Sequence, residues 1–249
     1  MKDKRVWLIG ASEGIGSALA FELANRGARL TLSARTAAML EDVLARLPGT
    51  GHAAHPLDVC ALREIETVWA KLCHDLPDVV IYNAGAYTPM DAQHLDIQQV
   101  ETMIDVNLRG AFRLAATVLP HYVARRSGHL VLVGSVAGYR GLPSAMGYGA
   151  SKAGLNHLAE NLRIDLRGSG IKVQLVSPGF VKTRLTDKNT FEMPFMVLPQ
   201  DAALRIADGL MSDSFEIHFP RRFSYALKLL GLLPHWLYFS LISGVRRTS

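Results

Sequence analysis

The sequence predicts a doubly wound α/β fold, a single domain with a mostly parallel sheet and helices on both faces. Three observations carry that expectation. Short apolar runs alternate with longer segments of helical period. The runs are continuously apolar, the pattern of strands buried on both faces. The alternation continues without a linker or internal repeat, which favours parallel pairing through right-handed crossovers.

In chain order, residues 5–10 read as the first strand and 14–26 as a helix, followed by a strand at 28–34, a helix at 37–47 and a strand at 52–57. Residues 61–75 place Leu62, Ile65, Val68, Trp69 and Leu72 at amphipathic helical spacing. A fourth strand at 78–82 precedes a long helical stretch, 97–125, with Gly110 inside it. A fifth strand at 129–134, a helix at 147–166 and a sixth strand at 171–176 follow, and Pro178-Gly179 ends the last. Residues 215–219 allow a short seventh strand. Beyond them the chain is very apolar from Phe223 to Ile242, interrupted by Lys228, Pro234 and His235. No uninterrupted stretch approaches the roughly 18 residues a membrane-spanning helix needs.

Composition narrows the function classes. With 49% hydrophobic and 20% charged residues, this is an ordinary globular chain. Cys60 and Cys73 are too few for a disulfide framework and lie in no metal-ligand cluster. No metal is expected, and a reducing, cytoplasmic setting fits. Residues 1–5 and the brief apolar run 6–10 do not read as a secretory signal. The net charge of +5 comes from basic residues spread along the chain, apart from Arg221/Arg222 and Arg246/Arg247. Without a basic stripe interleaved with aromatics, nucleic acid is not expected as a partner.

The first strand runs into Gly10, Ser12, Glu13, Gly14, Ile15 and Gly16 and then a helix. Glycines there let the backbone turn sharply. They also let a pyrophosphate approach main-chain N–H groups at the positive end of the helix, as in a Rossmann-type dinucleotide site. Read alone, the turn is also what any tight strand–helix connection requires. Arg35 follows Ser33 and Ala34 at the end of the second strand, where an acidic residue would bond a ribose 2′-hydroxyl. A guanidinium suits a 2′-phosphate, and Ser12 can add a hydroxyl, so NADP(H) is favoured over NAD(H). Glu13 weighs the other way if its carboxylate points inward.

Tyr148 and Lys152 are four residues apart at the start of a helix, so phenol and ammonium share a face. Free tyrosine titrates at about 10, too high for efficient acid–base work at neutral pH. A nearby ammonium and an oxidised nicotinamide both favour the phenolate. Ser135 ends the fifth strand, where its hydroxyl can bond a substrate oxygen. Such a pair alone is more often a surface coincidence, but here it follows a serine-ended strand and a cofactor turn.

Taken together, these motifs resemble those of the short-chain dehydrogenase/reductase family over about residues 5–185. They run in the family's order: the Gly10/Gly14/Gly16 turn, Asp58-Val59, Asn83-Ala84-Gly85, Asn107, Ser135, Tyr148/Lys152, and Pro178-Gly179 followed by Thr183. The resemblance implies a nicotinamide-dependent enzyme that interconverts a carbonyl and an alcohol, with Tyr148 as acid/base. It implies that Asp58 contacts the adenine, that Asn83 lines the cofactor floor, and that Lys152 holds the nicotinamide ribose. Asn107 would place a water relaying protons from Lys152, with a helix kink as the plainer reading. Thr183 and the backbone near Val181 would hold the carboxamide, or Thr183 would simply cap its loop.

Two departures stand out. Ile9 replaces a threonine that in relatives ties the first turn to Asn83-Ala84-Gly85. Residues 186–249 form a substrate-loop region and an apolar extension in place of the family's usual C-terminal end. Phe191, Met193, Phe195 and Met196 fit either a greasy, adaptable pocket or core packing, and point to a small hydrophobic substrate of ketone, lipid or steroid type. The tail beyond 220 reads in three ways: dimer surface or core packing, a lid over an apolar substrate, or a peripheral membrane anchor. A homo-oligomer, most simply a dimer, is expected. The competing function is a non-catalytic NADPH-binding sensor or membrane-recruited scaffold, against which the intact Ser135/Tyr148/Lys152 set argues.

Overall fold

Alternation within the strands decides how the layers pack. In β1 (Arg5–Ile9), Val6 and Leu8 join one hydrophobic cluster while Trp7 and Ile9 join the other, because successive side chains point to opposite faces. The computed structural model describes residues 1–189 and 191–245. Among them, β1, β2 (Arg29–Ser33), β3 (Ala53–Ala54), β4 (Val79–Tyr82), β5 (Gly128–Val133), β6 (Ile171–Pro178) and β7 (Glu216–Phe219) form one sheet. Its order is β3-β2-β1-β4-β5-β6-β7, with every registered strand pair parallel.

α1 (Gly14–Asn25), α2 (Ala37–Ala45) and α7 (Pro199–Leu210) cover one face. α3 (Leu62–Leu72), α5 (Gly110–Arg125) and α6 (Met146–Asp165) cover the other. The third strand is shorter than the 52–57 expected. Pro56 has no N–H to donate, so pairing beyond β3 is reduced to His55 N–H on Leu32 O (2.8 Å) and Leu57 N–H on Ala34 O (3.1 Å).

The long helical stretch is α4 (Ile97–Ile104) and α5, joined by one π turn at Asp105–Arg109. The Tyr82 hydroxyl reaches into this turn and donates to Val106 O at 2.5 Å. Gly110 permits the approach, since a Cβ there would lie 2.2 Å from the same hydroxyl oxygen.

α7 is an element the sequence reading did not place. Its signal was present: Pro199 at the first turn, Asp201 beside it, and Ala202, Ala203, Ile206, Ala207 and Leu210 at helical spacing. These residues pack on Leu19, Ala20, Leu23 and Ala24 of α1.

The apolar tail folds as two helices, α8 (Arg221–Gly231) and α9 (His235–Val245); Arg246 and Arg247 lie outside the described residues. No helix among the described residues is long and apolar enough to cross a membrane. Arg140 fixes the pair to the body. Its Nη1 donates to the carbonyls of Leu230, Gly231 and Leu233 at 3.1, 2.9 and 2.8 Å, and its guanidinium stacks 4.0 Å above the Tyr238 ring. The Tyr238 hydroxyl donates to Gly141 O at 2.6 Å. Glu216 adds a second tie, pairing with Lys228 and accepting from the Tyr139 hydroxyl at 2.5 Å. Core packing thus describes Tyr238 and Ser224, whereas Leu229, Leu232, Trp236 and Phe239 are exposed.

Candidate active site

The sheet switches direction between β1 and β4, and the loops at their carboxyl ends part there. A cavity of about 400 Å³ opens at this point. The first turn supplies Gly10, Ser12, Gly14 and Ile15 to its wall, and Arg35 enters from beyond β2. Asp58 and Val59 follow β3, and Asn83, Ala84 and Gly85 follow β4. Ser135 comes after β5, Tyr148 and Lys152 from α6, and Pro178, Gly179, Val181 and Thr183 from the end of β6 and its loop. Of the catalytic and cofactor-binding residues expected from the sequence, Gly16 and Asn107 lie behind the wall.

Gly16 has a geometric reason to be glycine. A Cβ there would lie 1.9 Å from Gly10 O and 2.7 Å from the Asn83 Nδ2. Gly10 itself has φ +85°, and a Cβ on it would meet Ala84 N at 2.6 Å. Asn83 closes the turn: its Nδ2 donates to Gly10 O at 2.7 Å and its backbone N–H to Ile9 O at 2.9 Å. The tie that Ile9 cannot make with a side chain is therefore made from the β4 side. Ile9 is instead fully buried beneath the turn. Gly16→Ala is expected to lower stability by about 2 kcal/mol and to abolish nucleotide binding, read by thermal unfolding and cofactor fluorescence titration.

Glu13 does not face Arg35 as a competitor. Its carboxylate pairs with Arg184 at 2.5 Å, linking the first turn to the loop after β6. Arg35 is exposed on the cavity wall with no carboxylate partner among the described residues. Asp58 accepts from Cys60 N–H at 2.9 Å, which fixes its carboxylate at the same end.

At the other end, Tyr148 and Lys152 lie one turn apart on α6, and Ser135 begins the short 3₁₀ turn after β5. Ser135 Oγ accepts from Ala137 N–H at 3.1 Å, which orients the hydroxyl. Lys152 is buried, its Nζ donates to Val133 O at 2.7 Å, and it lies 5.8 Å from the centre of the Tyr148 ring. Burial pushes the lysine down to about 7. It also pushes the Tyr148 phenol above its ordinary value, against a smaller lowering by a hydrogen bond with Ser135. Desolvation is the larger effect on the phenol in the protein alone, the amine being engaged by a carbonyl.

Asn107 sits in the π turn, fully buried. Its Oδ1 accepts from Ala86 N–H at 2.7 Å, and its Nδ2 donates to Ala86 O at 2.9 Å and Ser151 Oγ at 2.8 Å. The side chain thus clamps the loop after β4 to α6 from within the π turn. The hydroxyl that caps the loop after β6 belongs to Thr186, whose Oγ1 accepts from Thr183 N–H at 2.9 Å and bonds Val181 O at 2.8 Å.

Among the lining residues that the sequence did not single out are Tyr87, Arg184 and Lys188. Tyr87 stands edge-on to Tyr148 at 4.8 Å and donates to Asn189 Oδ1 at 2.5 Å; burial pushes its phenol up to about 12. Loop aromatics have no periodicity to betray them. Conversely, Phe191, Met193, Phe195 and Met196 do not line the cavity. Phe191 packs on Phe180, Phe195 tilts onto Phe223, and Met196 is exposed. No described residue of α8 or α9 lines it either.

Comparison with known proteins gives the family. The short chain dehydrogenase family matches over residues 4–193. An uncharacterised oxidoreductase of Myxococcus xanthus is 35% identical over 242 residues, covering 96% of each chain. A short-chain dehydrogenase from Sphingobium yanoikuyae, solved in complex with NADPH, superposes with a TM-score of 0.82 at 27% identity over 99% of this chain and 98% of that one. An actinorhodin polyketide ketoreductase with NADPH gives 0.79 at 25% identity over 88% and 97%. With the glycine turn, the switch-point cavity and the serine–tyrosine–lysine wall in one place, this chain belongs to the short-chain dehydrogenase family of oxidoreductases.

Proposed function

We propose that the protein reduces a carbonyl compound with an apolar body to its alcohol, with NADPH as the preferred nicotinamide. The observation that carries this reading is the convergence of Ser135, Tyr148 and Lys152 on one wall of a cavity whose other end presents Arg35. The residues fit a dinucleotide: the tight turn at Gly10, Gly14 and Gly16 brings the start of α1 to the cavity without side chains over its backbone N–H groups, where a pyrophosphate would approach. Glu13 is neutralised by Arg184, which favours a 2′-phosphate at Arg35, and the two NADPH-bound neighbours support the same choice.

A nicotinamide held in this cavity would supply the hydride to the carbonyl carbon. Ser135 and Tyr148 hold the carbonyl oxygen between two hydroxyls, and Tyr148 donates its proton to the oxygen as charge develops there. The upward push on its phenol keeps that proton in place at neutral pH. Lys152 in its ammonium form stabilises the phenolate that remains, and Asn107 keeps the Ala86 turn and α6 in register behind it. Tyr87, Met103, Val106 and Leu185 give the wall apolar surface, while Thr88 and Gln99 give it a polar end. The substrate suited to this mixture is a ketone with a largely apolar body and one further polar group.

The test follows NADPH and NADH oxidation by the purified protein across ketones running from short polar to long-chain and ring-bearing compounds. Turnover favouring NADPH and the more apolar ketones is expected. Tight NADPH binding with no turnover of any ketone would favour the non-catalytic reading. Arg35→Ser is expected to reduce kcat/KM with NADPH by about 10- to 100-fold and leave the NADH value unchanged, measured as paired initial rates.

A further inference from the structure

We propose that the outer face of α8 and α9 docks on an anionic lipid surface, holding the protein at a bilayer without spanning it. The charge distribution points there first. Residues 217–249 contain five Lys and Arg residues and no Asp or Glu, so this segment carries the whole net charge of +5, and the remainder of the chain is balanced. That asymmetry is invisible in the net figure.

The second observation is exposure. Arg222, Tyr225, Leu229 and Leu232 recur at three- and four-residue intervals along one face of α8, and all are exposed. Trp236 and Phe239 continue the apolar surface onto α9, with Leu232 82% and Trp236 73% exposed. These side chains are not loose ends. Arg140, Tyr238 and the Glu216–Lys228 pair hold the two helices against the body, so the apolar face is presented by a fixed scaffold. A rigid apolar face bearing tryptophan, on a segment with basic residues and no acid, matches the boundary between acyl chains and anionic headgroups.

The charge also argues against a second copy as the occupant. A two-fold contact sets a patch against itself, which here would bring two acid-free, positively charged segments together. An anionic bilayer meets both the apolar and the cationic requirement. The face lies beside the aromatic contact of Phe223 with Phe180, next to the cavity-lining Gly179. A surface-held protein would therefore keep its cavity close to the lipid phase.

The test mixes the full chain with vesicles of phosphatidylcholine alone and with phosphatidylglycerol added, and reads flotation and tryptophan emission. Trp7 and Trp69 are buried and Trp236 is exposed, so a blue shift on vesicles reports Trp236 directly. Binding to the anionic vesicles is expected, weakened by salt, with little on phosphatidylcholine alone. Arg221→Gln with Arg222→Gln is expected to weaken binding roughly thirty-fold, and Leu232→Ser with Trp236→Ser to abolish it. Absence of binding to either vesicle, equal binding to both, or binding unchanged in both variants would overturn the proposal. Self-association lost in Trp236→Ser, without vesicle binding, would give the face to a second copy and overturn it as well. None of these readouts depends on cofactor or substrate, so they fail or succeed independently of the carbonyl reaction.

Discussion

Tyr148→Phe is expected to lower kcat/KM for carbonyl reduction by about 10²- to 10⁴-fold while leaving nucleotide affinity unchanged. The substitution removes one oxygen and its proton and keeps the ring that stands edge-on to Tyr87 at 4.8 Å. The cavity wall and α6 keep their shape, so the loss reads on proton donation and on the hydrogen bond to the substrate oxygen. Steady-state rates beside cofactor titration separate the two effects. Equal rates in both proteins would remove Tyr148 from the chemistry.

Lys152→Met is expected to abolish turnover and, at the same time, to stabilise the fold. The lysine is 4% exposed and burial pulls it down to about 7. Below that pH the folded and unfolded chains both hold the proton, and the full cost of a buried ammonium weighs on folding. Between about 7 and the ordinary lysine value the unfolded chain keeps a proton that the folded chain has released, so stability rises with pH across that window. The methionine variant should therefore exceed the wild type by on the order of 3 kcal/mol at pH 7 or below, after loss of the bond to Val133 O. The gap should narrow toward high pH. Thermal unfolding across pH measures this, and a variant no more stable than wild type at pH 6 would refute it. Activity follows the same titration in the opposite sense. The ammonium is the form that stabilises a phenolate, so the reduction rate of the wild type should decline as pH rises above about 7.

The site was legible in the sequence to the extent that it depends on backbone demands and helical spacing. Gly10 and Gly16 are required by close approaches to Ala84 and Gly10 O, and such demands leave glycines at fixed places. Tyr148 and Lys152 are four apart because a helix must aim both at one cavity. Tyr87, Arg184 and Thr186 left no comparable trace, since each acts through a loop whose course only the folded chain defines. For the same reason the four apolar residues at 191–196 left a pocket and core packing both open. Their composition is that of a pocket, while their contacts are with Phe180, Phe223 and the surface.

The tail shows the other limit. Its apolar content was plain, but burial of Tyr238 and exposure of Trp236, two residues apart, depend on where Arg140 stands. Glu13 gives a smaller instance. Its sign counted against NADPH in the sequence, and the partner that cancels it, Arg184, lies 171 residues further along the chain.

The packing of α7 on α1 bears on how the motifs can be transplanted. Every recognisable motif is complete by Thr183, which invites the view that the rest is optional. Yet Leu19, Ala20 and Leu23, on the helix that begins at the nucleotide turn, are covered by Ala202, Ala203 and Ile206. A fragment or graft ending soon after Thr183 would carry the whole signature and strip the cover from the helix that presents it. The smallest transferable module therefore extends through α7, well past the last residue a motif search would mark.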